Sequence, residues 1–458
     1  MKIKKFHVAS CIFFGFLCSL ALGNGLNLNG LGTRSISMGG AFVGLADDFS
    51  TIYWNPAGMA FFKQKYFGFS GTDIIPNGSY RLSFPMPSGD NHVVDAKTKS
   101  KHYLGGMLAY YHPVCKNFIA GFGVYTSSGL GTEWDGADLV GIANGNSAVK
   151  WRSKIRVVTI APGIAYNIND ILSIGAALNI NYGKSDVAIH AGSVEPVKNM
   201  VIDLGQYEES MKGWGYGATF GILVRPSKVF SLGATFRTAS KIEFRGEASI
   251  SNLSTLGFLL GGYDTAGSTD LKREVTWPIW IAGGVAVYPT ENLTVTADVQ
   301  YTQWSHKKVK PYGVSDIDVG LGAFMLTDYK DTFFKIMINS LRPMFWEDAL
   351  QIRLGAEYRF RSLAVRGGYY WDPSPVPDRT MNILLPSYDF NVFTFGLGYS
   401  LKILQVDIGL EYLKGKERNI SSATIMGDSL PEPDWSSAMP GILKMHIVAL
   451  NISLSYRF

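Results

Sequence analysis

The chain has 458 residues, of which 47% are hydrophobic and 17% are charged, and its formal net charge at pH 7 is +5. The positive charge is mild and scattered, without a Lys/Arg block or a basic stripe, which argues against nucleic-acid binding. The seven histidines are also scattered, and metal-ligand spacing, phosphate-binding glycine loops and nucleophile motifs in a fitting context are absent from the sequence. We therefore expect neither an enzyme nor a cofactor.

Residues 1–23 have the pattern of a secretory signal peptide. Lysines precede an apolar run from Val8 to Leu22, and small residues, Ala21 and Gly23, stand at positions −3 and −1 of the expected cleavage site. The run is too short for a confident membrane-spanning helix. Cleavage would leave Cys115 as the single cysteine, so no internal disulfide is expected.

The next segment, Asn24 to Gly58, carries too little side chain to form a core of its own. Glycine and alanine are frequent in its first half, and such backbone packs best against surrounding walls. Asn55 before Pro56 is biased toward an extended backbone, so residues 54–58 are expected to form a defined turn. An ordinary loop that enters a strand would have a similar composition.

Alternation of apolar and polar residues recurs along the rest of the chain. The clearest case is residues 446–458, which alternate throughout and end on Phe458. A period of two indicates a strand with one face in lipid and one in water. Soluble sandwiches also alternate, but here aromatic residues gather toward the strand ends, as the girdles of membrane barrels require.

The spacing of turns and long connections predicts the number of strands. Six turns alternate with seven long connections, which predicts fourteen strands. The turns are expected at 112–116, 167–170, 225–228, 288–292, around Arg361 and around Lys402, and the long connections at 79–101, 129–149, 186–212, 247–269, 308–346, 373–388 and 415–441.

A barrel of this size has a lumen that its wall side chains cannot fill, so it is either a water channel or plugged. The glycine-rich N-terminal segment is the obvious plug, and the charge rings of an open porin are not apparent. We therefore predict an all-β fold: a 14-stranded antiparallel transmembrane β-barrel over 65–458, plugged by a small N-terminal hatch over 24–64.

Two long connections carry apolar residues where water is expected. One contains the run 253–260, and the other has apolar residues between 194 and 204 at roughly helical spacing. Exposed apolar surface usually marks a contact site. Two helices that simply pack on each other would also explain the pattern.

Several segments resemble, in order along the chain, those of the FadL/TodX family of outer-membrane transporters. Residues 37–48 followed by Asn55-Pro56-Ala57-Gly58 are similar to the family's hatch and its turn, and residues 128–134, 242–246, 301–305 and 372–379 are similar to later segments. The resemblance implies a bacterial outer-membrane protein that takes up long-chain fatty acids or similar hydrophobic compounds. In the implied mechanism the ligand triggers hatch movement and then diffuses laterally through an opening in the barrel wall.

The resemblance also implies site residues. The ligand is expected to contact Leu26 and Leu28 of the N-terminal tail and an apolar capture surface formed by Leu256, Phe258 and Leu259. The implied partners are outer-membrane lipid and a hydrophobic small molecule, and the protein is expected to be monomeric.

The opening is expected at an inward kink in the third strand. In that arrangement a hatch turn faces the kink and supplies partners for its unpaired backbone groups. Alternatively, the kink residues are only the end of the strand entering its loop. The residues concerned are Asn55, Pro56 and Ala57 in the turn and Thr126, Ser127 and Ser128 in the strand.

The sequence departs from the family pattern at the expected fatty-acid head group. Ile189 and Glu347 occupy two positions at which the resemblance implies basic residues. Arg353 or Arg366 would be possible substitutes, although inward charges in barrels more often form salt bridges within the wall. Neutral aromatic or aliphatic hydrocarbons are thus an alternative cargo, and a structural or adhesin barrel is an alternative of another class.

Overall fold

The computed structural model describes residues 25–85, 91–143, 145–197, 200–259, 267–305, 308–309, 317–318, 324–331, 334, 341–421 and 439–458. The predicted signal peptide, residues 1–23, lies outside these ranges. Within them, no helix has both the length and the hydropathy needed to cross a membrane.

Fourteen antiparallel strands, named β1 to β14 in chain order, form a closed wall, as predicted. Strands β7 and β8 each consist of two segments. Strand β14 pairs with β1 along nearly its whole length, from Arg457 opposite Tyr66 to Ile442 opposite Arg81, and this pairing closes the ring. The strands are β1 Tyr66–Pro85, β2 Tyr103–Cys115, β3 Phe118–Trp134, β4 Trp151–Asn167, β5 Leu172–His190, β6 Gln206–Val224, β7 Phe230–Arg237 and Ser240–Ile250, β8 Ser268–Trp277 and Trp280–Thr290, β9 Leu293–Thr302, β10 Ala349–Phe360, β11 Leu363–Asp372, β12 Phe390–Leu401, β13 Leu404–Gly415 and β14 Gly441–Arg457.

Further short elements lie outside the wall strands. The α-helices are Thr33–Ser37, Thr51–Trp54 and Leu253–Leu259, and the 3-10 helices are Pro56–Phe61, Gly136–Ile142 and Asp378–Thr380. The short strands are Asn91–Lys97, Ser193–Val197, Met200–Asp203, Lys308–Val309, Ile317–Asp318, Phe324–Tyr329, Leu341–Pro343 and Arg418–Ile420.

The six predicted tight turns are confirmed, since consecutive strands are joined by a few residues at each position. In two of the two-residue turns, Arg361 and Lys402 have φ angles of 55° and 46°, a left-handed conformation that two-residue hairpin turns require.

The long connections contain more strand than predicted. Strand β1 continues to Pro85 and pairs there with Asn91–Lys97. The helical interpretation of residues 194–204 was wrong: Ser193–Val197 and Met200–Asp203 form a β-hairpin. Its apolar residues lie on short paired strands. A segment of this length is too short for the spacing of its apolar residues to distinguish a helix from a strand.

The wall is apolar on its outer face. Along β14, Leu450 and Ile452 are 50% and 55% exposed, whereas Asn451 and Ser453 are 5% and 1% exposed. A soluble protein buries its leucines and exposes its asparagines, so this inversion is the pattern of a barrel surrounded by lipid.

The N-terminal segment contacts the inner side of the wall. From Leu31 to Ala60 every side chain is buried except that of Asp47, which is half-buried. The helix Thr33–Ser37 contacts β11 to β14, whereas the 3-10 helix Pro56–Phe61 contacts β3 to β6. A segment that reaches both groups of strands has the contacts expected of the predicted plug, and β1 begins directly after it at Tyr66.

Candidate functional site

The wall has a gap between β2 and β3. The ladder between these strands runs from the pair of Cys115 with Phe118 to the pair of Met107 with Tyr125. It ends there, although the structure describes both strands beyond this point. Beyond it, residues 103–106 of β2 form a ladder with β1 but not with β3, and residues 126–134 of β3 form a ladder with β4 but not with β2. We call this unpaired stretch the wall gap. The bridge between Thr98 and Trp134 closes its far end.

Strand β3 is irregular beside the wall gap. Opposite β4, its register shifts between Thr126 and Ser128, so Ser127 is an extra residue in the ladder. Such a bulge bends a strand and interrupts its pairing. The alternative that these residues end the strand was wrong, because β3 continues to Trp134.

Residues 25–30, which we call the tail, run along the bulge. The Leu28 amide donates to the Ser127 carbonyl oxygen at 3.3 Å, and Asn27 forms an isolated antiparallel bridge with Ser128. Leu28 fills the wall gap, because a Cβ added to Gly105 of β2 or Gly129 of β3 would lie 3.7 or 3.6 Å from its methyl groups. A cavity of about 150 Å³ surrounds this position.

The tail has a second leucine on its other side. Leu26 is 7% exposed and lines an apolar cavity of about 80 Å³, which we call the inner cavity. The side chains of Ile189, Phe244 and Trp277 also line it. Leu26 and Leu28 were both predicted to contact ligand, and the structure places them in two different cavities.

The hatch turn was expected to face the kink, and this was wrong. The Asn55 side-chain Nδ2 donates to the Ile222 carbonyl of β6 at 3.0 Å, and the Ala57 carbonyl accepts from the Ser173 hydroxyl of β5 at 3.0 Å. Pro56 lies against Gly175 of β5, where any Cβ would collide with it. Glycines in β5 and β6 therefore allow the turn to pack closely against that part of the wall. The described hydrogen bonds between the N-terminal segment and the bulge are made by Asn27 and Leu28 of the tail.

Comparison with known proteins identifies the family. The family model described as outer membrane protein transport protein (OMPP1/FadL/TodX) matches residues 15–458. The chain belongs to this family. The predicted resemblance and the predicted location in the outer membrane are thereby confirmed, so the short turns are periplasmic and the long loops extracellular.

Individual relatives agree with this assignment. The chain is similar to the long-chain fatty acid transport protein of Escherichia coli O6:H1, with 26% identity in a 426-residue alignment that covers 86% of each chain. The structure of a Pseudomonas aeruginosa FadL homologue matches with a TM-score of 0.73 at 15% identity, covering 95% of this chain and all of the other. The P. putida toluene transporter TodX matches with a TM-score of 0.69 at 17% identity, covering 94% of this chain and 99% of the other.

In this FadL/TodX family member, residues 31–61, which we call the plug body, are held by short hydrogen bonds to the wall. The Asp298 carboxylate of β9 accepts from the amides of Phe42 and Val43 at 2.7 and 2.8 Å. The Ser231 hydroxyl donates to the Gly44 carbonyl at 2.6 Å. These bonds are shorter than those of the tail, where the Tyr53 hydroxyl reaches the Leu28 carbonyl at 3.4 Å.

Buried ion pairs also anchor the plug body. Arg34 donates two hydrogen bonds to Glu357 of β10 at 2.7 and 2.9 Å and also pairs with Asp47. Arg366 of β11 bridges Glu357 and Asp407 at 2.6 and 2.7 Å. Arg366 thus belongs to a wall network, as the salt-bridge alternative predicted.

Asp48 is a buried carboxyl group of the plug body. Its Oδ1 accepts from the Ser50 amide and hydroxyl at 2.7 and 2.6 Å. Burial raises the pKa of Asp48 to about 6, against the opposing effects of Arg34 and the Ser50 hydrogen bonds. Because the folded state favours the protonated form, ionised Asp48 destabilises the fold above about pH 6, and this penalty diminishes as the pH falls from about 6 toward the ordinary pKa of 3.8.

Arg353, the other proposed head-group residue, also contacts the plug body. It donates to the Gly39 carbonyl at 3.0 Å and to Gln351, and its guanidinium stacks on Tyr370 at 4.1 Å. Glu347 is exposed outside the inner cavity. The resemblance implied basic residues at positions 189 and 347. Of these two positions, 189 lines the inner cavity, where the isoleucine provides no positive charge.

The inner cavity contains a charged pair that was not among the predicted site residues. Arg273 of β8 donates to Glu209 of β6 through both terminal nitrogens, at 2.6 and 2.7 Å. The Tyr207 hydroxyl donates to Glu209 at 2.6 Å, and Arg273 Nε donates to the Thr327 hydroxyl at 2.9 Å. One sequence pattern could have indicated this arginine. Along β8, Arg273 lies on the same face as Leu271 and Val275, where the alternation places side chains that point inward.

The predicted capture surface is divided. Leu256 is 1% exposed and belongs to the extracellular core, whereas Phe258 and Leu259 are 76% and 50% exposed. Val201, on the other apolar connection, is 67% exposed. Of the three predicted capture residues, Phe258 and Leu259 are thus accessible to a ligand from outside, whereas Leu256 packs in the core.

The buried network gives a stability prediction. Glu357→Gln should lower the free energy of unfolding by about 3 kcal/mol, because it leaves the Arg34 and Arg366 guanidiniums without their shared anion. Glu243→Gln, at an exposed ion pair of the wall, should have a much smaller effect, because solvent screens exposed pairs. Unfolding in detergent would measure both, and equal effects would contradict the anchoring role of Glu357.

Proposed function

We propose that this chain takes up hydrophobic small molecules across the outer membrane through the wall gap. Cargo enters the inner cavity from the extracellular side and displaces the tail, and it then passes between β2 and β3 into the lipid. The observation that carries the proposal is the double placement of the tail, with Leu26 in the inner cavity and Leu28 in the wall gap.

Apolar contact alone provides enough binding energy. Burial of each methylene contributes about 0.8 kcal/mol, so a cargo of about a dozen carbons offers on the order of 10 kcal/mol before ordering costs. The cargo replaces leucine side chains with its own apolar surface, and its exit into lipid exchanges one apolar environment for another. Transport in this direction therefore needs no ATP.

The tail, rather than the hatch turn, is the moving part in this proposal. The tail is held at the bulge by bonds of 3.3 Å, whereas the plug body has buried carboxylates and guanidiniums on several strands. Because Leu28 itself fills the wall gap, a relay through Asn55, Pro56 and Ala57 is unnecessary. The plug body remains in place and keeps the lumen from becoming an open channel.

The charges of the inner cavity favour neutral cargo over a carboxylate. Arg273 is its cation among the described residues that line it, and Glu209 already occupies both terminal nitrogens. A fatty-acid head group would have to displace this buried pair, which neutral aromatic or aliphatic hydrocarbons leave intact. Fatty acid, which the E. coli relative's name specifies, is the second candidate.

Fixing the tail should abolish uptake. In a Cys115→Ser background, the substitutions Asn27→Cys and Ser128→Cys allow a disulfide between directly opposed residues of an antiparallel pair. We expect uptake of a radiolabelled hydrocarbon to be lost on oxidation and to return on reduction. A control pair at Gln405 and Ser455, which are opposed between β13 and β14, should not alter uptake. Normal uptake by the oxidised tail variant would refute the proposal.

Releasing Arg273 should change cargo selectivity. Glu209→Gln frees the guanidinium for a carboxylate, and a charge-assisted hydrogen bond contributes about 1.5–3 kcal/mol, so laurate should bind at least about tenfold more tightly. Dodecane binding should change little. Glu208→Gln, at an exposed neighbour paired with Lys150, is the matched control. If laurate instead bound tightly to the unmodified protein, and Glu209→Gln weakened that binding, fatty acid would be the favoured cargo.

A further inference from the structure

Trp277 lies between the inner cavity and the tail's attachment to the bulge. Its indole is 9% exposed and lines the inner cavity beside Leu26. The same residue lines a small polar cavity with Asn27 and Ser128. Trp277 is therefore in a position to respond to cargo on one side and to affect the tail on the other.

The hydrogen-bond chemistry of this contact has a fixed direction. The indole nitrogen of Trp277 is a donor only, and it donates to the Ser128 hydroxyl oxygen at 2.7 Å. The Ser128 hydrogen must then point elsewhere, and it is donated to the Asn27 side-chain carbonyl at 3.3 Å. The indole thus orients the hydroxyl that holds the tail.

The backbone around Trp277 is not locked into a continuous ladder. Pro278 follows it and separates the two segments of β8, because proline has no N–H to donate. Ser268–Trp277 pairs with Ser240–Ile250 of β7. Trp280–Thr290 pairs with Phe230–Arg237 of β7 and with β9. Trp277 is the last residue before this break, where a small shift disrupts few ladder bonds.

We propose that Trp277 is a positioning residue that couples occupation of the inner cavity to release of the tail. Cargo that replaces Leu26 contacts the indole and moves its N–H away from Ser128. The hydroxyl then loses its orientation, and the attachment of Asn27 weakens. This inference rests on the proposed function, but the attachment itself can be measured without transport.

The test compares Trp277→Phe with Trp134→Phe by hydrogen exchange of the tail peptide in the folded, detergent-solubilised protein. Both substitutions keep an aromatic ring and remove one buried indole bond. Trp134 donates to the Ile383 carbonyl at 2.9 Å, and Trp134→Phe keeps the backbone bridge to Thr98 at the far end of the wall gap. N-phenyl-1-naphthylamine serves as a neutral apolar probe. Ser128→Ala provides a second variant if Trp277→Phe does not fold.

We expect Trp277→Phe or Ser128→Ala to raise the exchange rate of the tail about fivefold without probe, as loss of one hydrogen bond predicts. Trp134→Phe should leave it unchanged. In the unmodified protein the probe should raise tail exchange, and in Trp277→Phe it should add nothing further. Unchanged exchange in both variants, or a probe effect of the same size in Trp277→Phe, would overturn the proposal. Failure of the probe to bind any variant would instead count against the proposed function, while the comparison without probe still tests the attachment.

Discussion

The need to satisfy backbone hydrogen bonds within lipid governs the structure. A strand in a bilayer has no water to replace a missing partner, so a closed ring of strands is the economical arrangement. Between β2 and β3, where both strands are fully described, this wall does not meet the requirement by strand pairing. There, Leu28 supplies a partner for the Ser127 carbonyl, and Arg156 of β4 donates to the Leu104 carbonyl at 2.8 Å. The gap is tolerated because other parts of the chain cover it.

This constraint explains the unequal attachment of the N-terminal segment. The plug body has to remain fixed if the barrel is not to become an open channel, and buried charges such as Arg34 and Asp298 hold it. The tail has to leave if the wall gap is to conduct, and its bonds at the bulge are longer. In the proposed mechanism, one chain segment with a firmly held part and a weakly held part allows uptake without a continuous aqueous passage.

Much of the fold was predictable from the sequence. The alternation of apolar and polar residues determines which face of each strand contacts lipid. The turns between strands need few residues, so short polar and proline-containing segments indicated their positions. The hairpin at 193–203 was not predictable, because short apolar strands and helices share the same local pattern. Its pairing depends on the partner strand rather than on local sequence.

The site was less predictable than the wall. Leu26, Leu28 and the β3 irregularity could be proposed by resemblance, but the position of Asn55 depends on glycines about 120 to 165 residues further along the chain, at Gly175 and Gly221. The Arg273–Glu209 pair likewise joins distant strands. Sequence patterns report the orientation of a side chain, whereas its partner across the lumen is a property of the closed ring.

Closure of the wall gap by a bulky side chain would test the lateral route most directly. Gly129→Trp places an indole beside Leu28, and Gly367→Trp is the control on β11, where the nearest atom is 3.9 Å from an added Cβ. The account predicts that Gly129→Trp reduces hydrocarbon uptake at least about tenfold while binding in the inner cavity persists, and that Gly367→Trp does neither. Uptake by Gly129→Trp at the rate of the unmodified protein would show that cargo leaves by another route.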